Sequence, residues 1–260
     1  MALLDVKGLT KTFGGLVAVN NIDFQMEDKQ IVSVIGPNGA GKTTFFNVIS
    51  GYYPDHVGTI TFGGHNLKDL NPEKVAAYRM ARTFQNIRLF PDMLTVENIL
   101  VGMHLHLSSN LFDIVLNTKR LKREEKEAYE RAMELLNYVG LEGKDNELAK
   151  NLPYGEQRLL EIARALAIKP KLLLLDEPAA GLNPKETEAM KNFIIKIRDE
   201  LGHSILLIEH DMKLVMGLSD KITVINYGVK IAEGTPDEIK NNPEVIKAYL
   251  GDDTTTDAVA

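Results

Sequence analysis

The sequence predicts an α/β fold, and three observations carry that prediction. First, Ile31-Val32-Ser33-Val34-Ile35 is a short apolar run that leads directly into a glycine-rich octapeptide, GPNGAGKT, at residues 36–43. Second, Leu172 to Leu175 and Ile205 to Ile208 are continuous aliphatic runs, which suit strands covered on both faces of a parallel sheet. Third, a helix pattern lies between those two runs. Asn183 can cap it, Pro184 fits its first position and Glu186 can close a capping box. Met190, Phe193, Ile194, Ile197 and Leu201 then share one face. Strand, helix and strand in that order make an α/β core.

The remaining segments attach to that core. Ile22, Phe24 and Met26 alternate with polar residues, and Gly58 to Phe62 reads the same way, so a small antiparallel layer is expected beside the glycine-rich loop. Residues 88–158 read as a mostly helical insertion. Within it Glu124 to Arg131 is a charged helical stretch, and the basic run Lys119 to Arg123 reads as a solvated helix face. One domain is therefore expected over 1–260. Its core comprises 1–87 and 159–235, followed by a C-terminal helix at 236–251 and a disordered tail at 252–260.

Composition narrows the function classes. The 260 residues suffice for one large domain or a core with a subdomain. There is no cysteine, which excludes disulfides, cysteine metal sites and thiol catalysis. No apolar run approaches the ~18–20 residues of a membrane helix. The start, MALLDVKGLTK, lacks the pattern of a signal peptide. A formal net charge of −6 argues against a generic nucleic-acid binder.

The octapeptide has the form G-x-x-x-x-G-K-[ST], set between a strand and a helix, and it points to a nucleoside triphosphate with magnesium. Gly36, Gly39 and Gly41 let the backbone approach phosphate oxygens. Successive N–H groups through Asn38, Ala40 and Thr44, in the loop that Pro37 opens, form an anion nest, to which the helix beginning near Lys42 adds its positive end. Lys42 is placed to reach the β- and γ-phosphates, and the Thr43 hydroxyl to coordinate magnesium.

The second half of the chemistry follows the later strands. Leu172 to Leu175 ends in Asp176 and Glu177; the first carboxylate suits magnesium, and the second can polarise an attacking water. His210, just past the Ile205 to Ile208 run, can reach a γ-phosphate at the sheet's carboxyl edge, although an isolated turn histidine would read the same. Gln85, at the end of the expected strand through Arg82-Thr83-Phe84, can join the magnesium shell or be an ordinary loop amide. Leu152-Pro153-Tyr154-Gly155-Glu156-Gln157-Arg158 precedes a helix with Leu159, Ile162, Ala163 and Leu166 on one face, giving either a second anion site or a plain cap.

Taken together, GPNGAGKT, Gln85, LPYGEQ, LLLLDEP, Ala180-Gly181-Leu182-Asn183 and His210 resemble the ATP-binding cassette family, over nearly the whole chain. The resemblance implies a P-loop NTPase (RecA-like) core with ATP and Mg2+ as cofactors. It also implies a head-to-tail dimer with a second cassette, identical or related. Each ATP would lie between one subunit's loop and the other's Tyr154, Gly155 and Glu156. By the same resemblance Phe13 stacks on adenine. The chain departs from the family's L-S-G-G-Q signature at Pro153, Tyr154 and Glu156, and it carries Asn183 where aspartate is common. Pro153 has neither hydroxyl nor N–H to offer a phosphate.

Arg82-Thr83-Phe84-Gln85-Asn86-Ile87-Arg88-Leu89-Phe90, LPYGEQR and the ending Ala232-Glu233-Gly234-Thr235-Pro236 to Ala248-Tyr249-Leu250-Gly251 resemble ATPases of branched-chain amino acid importers. ATPases of urea or amide uptake and of lipopolysaccharide export share parts of these features. The resemblance implies membrane permease partners, indirectly a substrate-binding protein, no nucleic acid, and a peripheral position on the cytoplasmic face of the membrane. Asn86 to Phe90 is the expected docking surface. A soluble cassette ATPase acting on nucleic acid or ribosomes, and a small-molecule kinase, are the rival readings.

Overall fold

The computed structural model describes residues 2–104, 113 and 116–250. The expected tail at 252–260 lies outside the described residues. The chain divides into two compact units, Met1–Tyr78 with Leu174–Ala260, and Arg79–Leu173.

The first unit opens with β1 (Leu4–Phe13) and β2 (Leu16–Met26), an antiparallel pair with Leu4 opposite Met26 and Phe13 opposite Leu16. Ile22, Phe24 and Met26 point inward, as the alternation predicts. Next come β3 (Ile31–Ile35), α1 (Lys42–Ile49), β4 (Val57–Phe62), β5 (His65–Asn66) and α2 (Pro72–Ala77). The antiparallel layer has the strand order β2-β1-β4-β5.

The chain then enters the second unit through β6 (Met80–Arg82), followed by α3 (Thr95–Gly102), α4 (Lys119–Tyr138) and α5 (Tyr154–Leu166). β6 closes at Arg82, three residues before Gln85, so Thr83 and Phe84 extend no strand. Thr118 caps α4, and its exposed face carries Arg120–Glu124, Arg123–Glu127 and Lys126–Glu130 pairs, the solvated face expected there. The helical unit is wider than the expected 88–158. A cut at 158 would fall inside α5, a continuous helix that buries Leu160, Ile162, Ala163 and Leu166. At its other end the unit is tied by Lys171 N–H donating to the Arg79 carbonyl at 2.7 Å.

β7 (Leu172–Asp176), α6 (Pro184–Leu201), β8 (Ser204–Ile208), α7 (Met212–Leu218), β9 (Lys221–Asn226) and β10 (Val229–Gly234) complete the core. The strands run in the order β10-β9-β3-β8-β7, with β3 parallel to both β8 and β9. β3, β7 and β8 are buried at every position, because the sheet is covered on both faces. The Asn183 side chain accepts from Lys185 and Glu186 N–H, closing the predicted capping box at α6.

The single C-terminal helix expected at 236–251 is two helices, α8 (Pro236–Lys240) and α9 (Pro243–Leu250). Pro243 cannot continue the first helix, having no N–H to donate back. Asn242 Oδ1 instead accepts from Glu244 N–H at 2.9 Å and starts the second.

Candidate functional site

β3 delivers the glycine-rich loop to the carboxyl edge of the sheet, where α1 begins. Gly36, Gly39 and Gly41 all have positive φ. At Gly36 an added Cβ would lie 1.9 Å from the Ile225 carbonyl oxygen, so only glycine fits. Gly41 is the N-cap of α1 and offers no side chain, so no cap competes for the first-turn N–H groups. The Lys42 ammonium folds over the loop, donating to the Gly36 and Pro37 carbonyls at 2.7 and 2.9 Å. Burial pushes it below the ordinary lysine value, against the attraction of Glu177 and Asp176.

An open groove of about 470 Å³ runs along this loop, lined by Gly39 to Thr44 together with Phe13, Leu16, Val17, Ala18, Tyr227 and Gly228. Phe13 is 41% exposed, and its ring meets Tyr53 edge-on at 5.1 Å. The Lys11 ammonium sits 4.8 Å from the Phe13 ring centroid and pairs with Asp55 at 2.7 Å. Phe13 therefore presents a ring held in place by its neighbours to an apolar-rimmed groove that ends at the loop.

The carboxylates close the other side. Asp176, the last residue of β7, is buried. Glu177 adopts φ 48 and donates its N–H to the Ile208 carbonyl at 3.0 Å, which ties it to the end of β8. His210 Nδ1 lies 3.6 Å from Glu177 Oε2, with its ring largely exposed. Glu209, fully buried, binds both loops: it accepts from Ala179 N–H at 2.9 Å and from His210 N–H at 3.1 Å. Burial pushes the Glu209 carboxyl up, against these backbone donors. Among the described residues no cluster of three His, Cys, Asp or Glu could hold a metal alone. A hydroxyl at Thr43 and one carboxylate at Asp176 are nevertheless a hard oxygen donor set. Such a set suits magnesium, which keeps waters and phosphate oxygens in its shell.

In the second unit, Pro153 is the N-cap of α5 and caps it with no side chain, as its chemistry requires. Tyr154 is exposed, and Gly155 and Glu156 form the first turn, where Lys144 pairs with Glu156. Leu159 is half-buried, whereas Arg158, Leu160 and Glu161 are buried, so the inward face is rotated from the apolar reading. Gln85, Asn86, Arg88 and Phe90 are exposed. The Asn98 amide clamps Phe90 at both its N–H and its carbonyl, and the Arg88 guanidinium lies 4.1 Å from the Phe84 ring centroid.

The profile described as ABC transporter matches residues 19–180. A second profile, described as branched-chain amino acid ATP-binding cassette transporter, matches residues 229–255. The chain belongs to the ABC transporter family. It is 52% identical over 250 residues to the high-affinity branched-chain amino acid transport ATP-binding protein BraF of Pseudomonas aeruginosa, covering 96% of this chain and 98% of that one. It is 50% identical to the corresponding LivG of Escherichia coli over the same shares. A crystal structure of the ADP conformation of an ATP-binding cassette of an ABC transporter superposes with a TM-score of 0.83 at 28% identity, covering 97% of this chain and 100% of that one. A nucleotide-free cassette gives 0.83 at 30% identity over the same shares. The fold is that of the P-loop NTPase cassette.

Within this cassette the first unit brings together Phe13, the loop 36–44, Asp176, Glu177 and His210, while Gln85 and Tyr154 to Glu156 belong to the second unit. Sequence reasoning missed Glu209, Leu16, Val17, Ala18 and Tyr227. Glu209 carried a signal, a carboxylate following four aliphatic strand residues, as Asp176 does. The groove residues depend on long-range register and had none.

Proposed function

We propose that this chain is the ATP-hydrolysing subunit of an importer of branched-chain amino acids, peripheral on the cytoplasmic face of the membrane. The observation that carries this reading is identity of half or more, end to end, with BraF and LivG. The match of residues 229–255 supports it independently of the motifs common to all cassettes. No helix among the described residues is long and apolar enough to cross a membrane, and this reading assigns the transport path to permease subunits.

Phe13 holds the adenine, and the N–H groups of the loop with Lys42 hold the phosphates. Thr43 and Asp176 would hold magnesium, with Gln85 assigned to its shell by motif order. The bound ion neutralises phosphate charge. Glu177 accepts the proton of the attacking water, and the His210 imidazole donates to the γ-phosphate. A second cassette, identical or related, contributes its own Tyr154, Gly155 and Glu156 over the ATP. ATP binding closes the pair and hydrolysis releases it. Asn86 to Phe90 meets the permease, and a substrate-binding protein delivers the amino acid.

The test is co-purification of the chain with its membrane subunits, followed by uptake of labelled leucine, isoleucine and valine into proteoliposomes. ATP-dependent uptake of any of the three supports the reading. Uptake of urea or amides instead, or lipopolysaccharide extraction, would replace the substrate and keep the ATPase. Recovery with ribosomes or nucleic acid and no permease would overturn the importer.

A further inference from the structure

The turn between β9 and β10 carries a residue that the fold does not explain. Tyr227 adopts φ 46, a left-handed backbone that is costly for an aromatic residue. The residue is 88% exposed, so burial in the core contributes nothing to keeping it there. Asparagine or glycine would make the same turn with less strain.

The turn itself is held firmly. Gly228 N–H donates to the Ala40 carbonyl of the phosphate loop at 2.9 Å, and the Gly228 carbonyl accepts from Asn20 N–H of β2 at 2.7 Å. A Cβ on Gly228 would lie 2.9 Å from the Ala18 carbonyl oxygen, and one on Gly41 would lie 2.4 Å from that same oxygen. Three stretches of backbone, from β2, the loop and the turn, therefore meet with no room to slide. A ring mounted on that junction has a fixed root.

Tyr227 lines the same groove as Phe13, Leu16 and Val17. We propose that Tyr227 is a further nucleotide-binding residue, whose ring contacts the base and sugar of a purine nucleotide in the groove that Phe13 lines. The inference rests on the reading of this groove as the nucleotide site. The nucleoside end is its target because the phosphates are served by loop N–H groups and Lys42, whereas an aromatic ring offers a π face and an apolar edge.

Calorimetric titration with ADP and with inorganic tripolyphosphate separates the two ends of the ligand. Tyr227→Gly and Tyr227→Asn both accept the left-handed backbone, so each should fold with an unchanged or raised Tm. Each should bind ADP about five- to tenfold more weakly, the loss of one modest stacking contact. Tripolyphosphate binding should stay unchanged, and Tyr227→Phe should bind ADP like the wild type. Wild-type ADP affinity in both the glycine and asparagine variants would overturn the proposal. So would parallel loss of ADP and tripolyphosphate, which would show that the turn acts through the loop. A wild-type protein that binds neither probe would overturn the nucleotide reading itself, a result distinct from either.

Discussion

The Arg158 guanidinium donates to the backbone carbonyl of Gln85 at 2.7 Å and, through its other terminal nitrogen, to that of Phe84 at 2.6 Å. Arg158 stands on the first turns of α5, four residues beyond Tyr154, so one buried side chain ties the helix of the signature segment to the segment of Gln85. Glu161 completes the arrangement. It accepts from Arg158 at 2.9 Å and from Arg88 N–H at 3.1 Å, and both side chains are fully buried. A planar fork with fixed donors is what this geometry needs, and a lysine cannot supply it.

Replacing Arg158 by methionine should therefore be severe. It leaves two carbonyls without their donor and a buried carboxylate without its cation, a loss of ~3–5 kcal/mol by denaturant unfolding. Arg158→Met with Glu161→Met should recover part of that loss, because the Glu161 carboxylate is then no longer left buried without Arg158; the recovery stays partial because Arg164 loses the attraction of Glu161. A single variant within ~0.5 kcal/mol of wild type would show that water replaces the pair.

The phosphate loop gives a sharper steric contrast. Gly36→Ala drives a Cβ to 1.9 Å from the Ile225 carbonyl oxygen, backbone that cannot step aside. Gly39→Ala meets nothing within 4 Å and bears only the strain of φ 79. The first should cost ~1–3 kcal/mol through overpacking in addition to its own backbone strain, whereas the second should cost only the ~1–2 kcal/mol of a left-handed residue. Thermal unfolding without nucleotide separates them, and equal losses would argue that the loop is not pressed against β9.

Glu209 makes a pH-dependent prediction. Its folded pKa is raised by burial above the ordinary 4.5, so between 4.5 and that raised value the folded state binds more protons than the unfolded one. Stability from this group is complete below 4.5 and is lost as pH rises through the folded value. The Tm advantage of wild type over Glu209→Gln should therefore shrink as pH rises from 4 to 8. The glutamine also turns an N–H toward a backbone donor it should accept from, Ala179 or His210. Hydrolysis should drop ~10-fold with ADP affinity unchanged, because His210 loses its seat. A pH-independent difference would show that the carboxyl titrates normally.

Most of the fold was legible because its signals are local. Asn183, Pro184 and Glu186 mark a helix start whatever surrounds them, and the buried strands read as unbroken aliphatic runs. The failures share a cause. An apolar count places Leu159 on the inward face of α5 because it cannot foresee that Arg158 and Glu161 go inside as a pair, with Leu159 half-buried. Tyr227 has no local signal as a site residue, and the signal of Glu209, a carboxylate after an aliphatic run, does not say what it holds. Glu209 matters through the backbone of Ala179, Tyr227 through a groove whose walls come from β1, β2 and the β9–β10 turn.

The water-activating role assigned to Glu177 is open to direct test. Glu177 is held at φ 48 with its N–H bound to the Ile208 carbonyl, so the backbone that carries its side chain is fixed to the end of β8. Glutamine keeps that backbone and nearly the same shape, and removes only the basic oxygen. Glu177→Gln should therefore bind ATP as wild type does while its phosphate release falls ~10²–10⁴-fold. With hydrolysis blocked, the ATP-bound form should persist as a dimer in size-exclusion chromatography, and the ADP form should elute as monomer. His210→Ala should slow release comparably while leaving ATP affinity intact, because its ring lies 3.6 Å from the Glu177 carboxylate and does not line the groove of Phe13. Near-normal turnover in Glu177→Gln would remove that carboxylate from the base role and return the chemistry to the charges around Lys42.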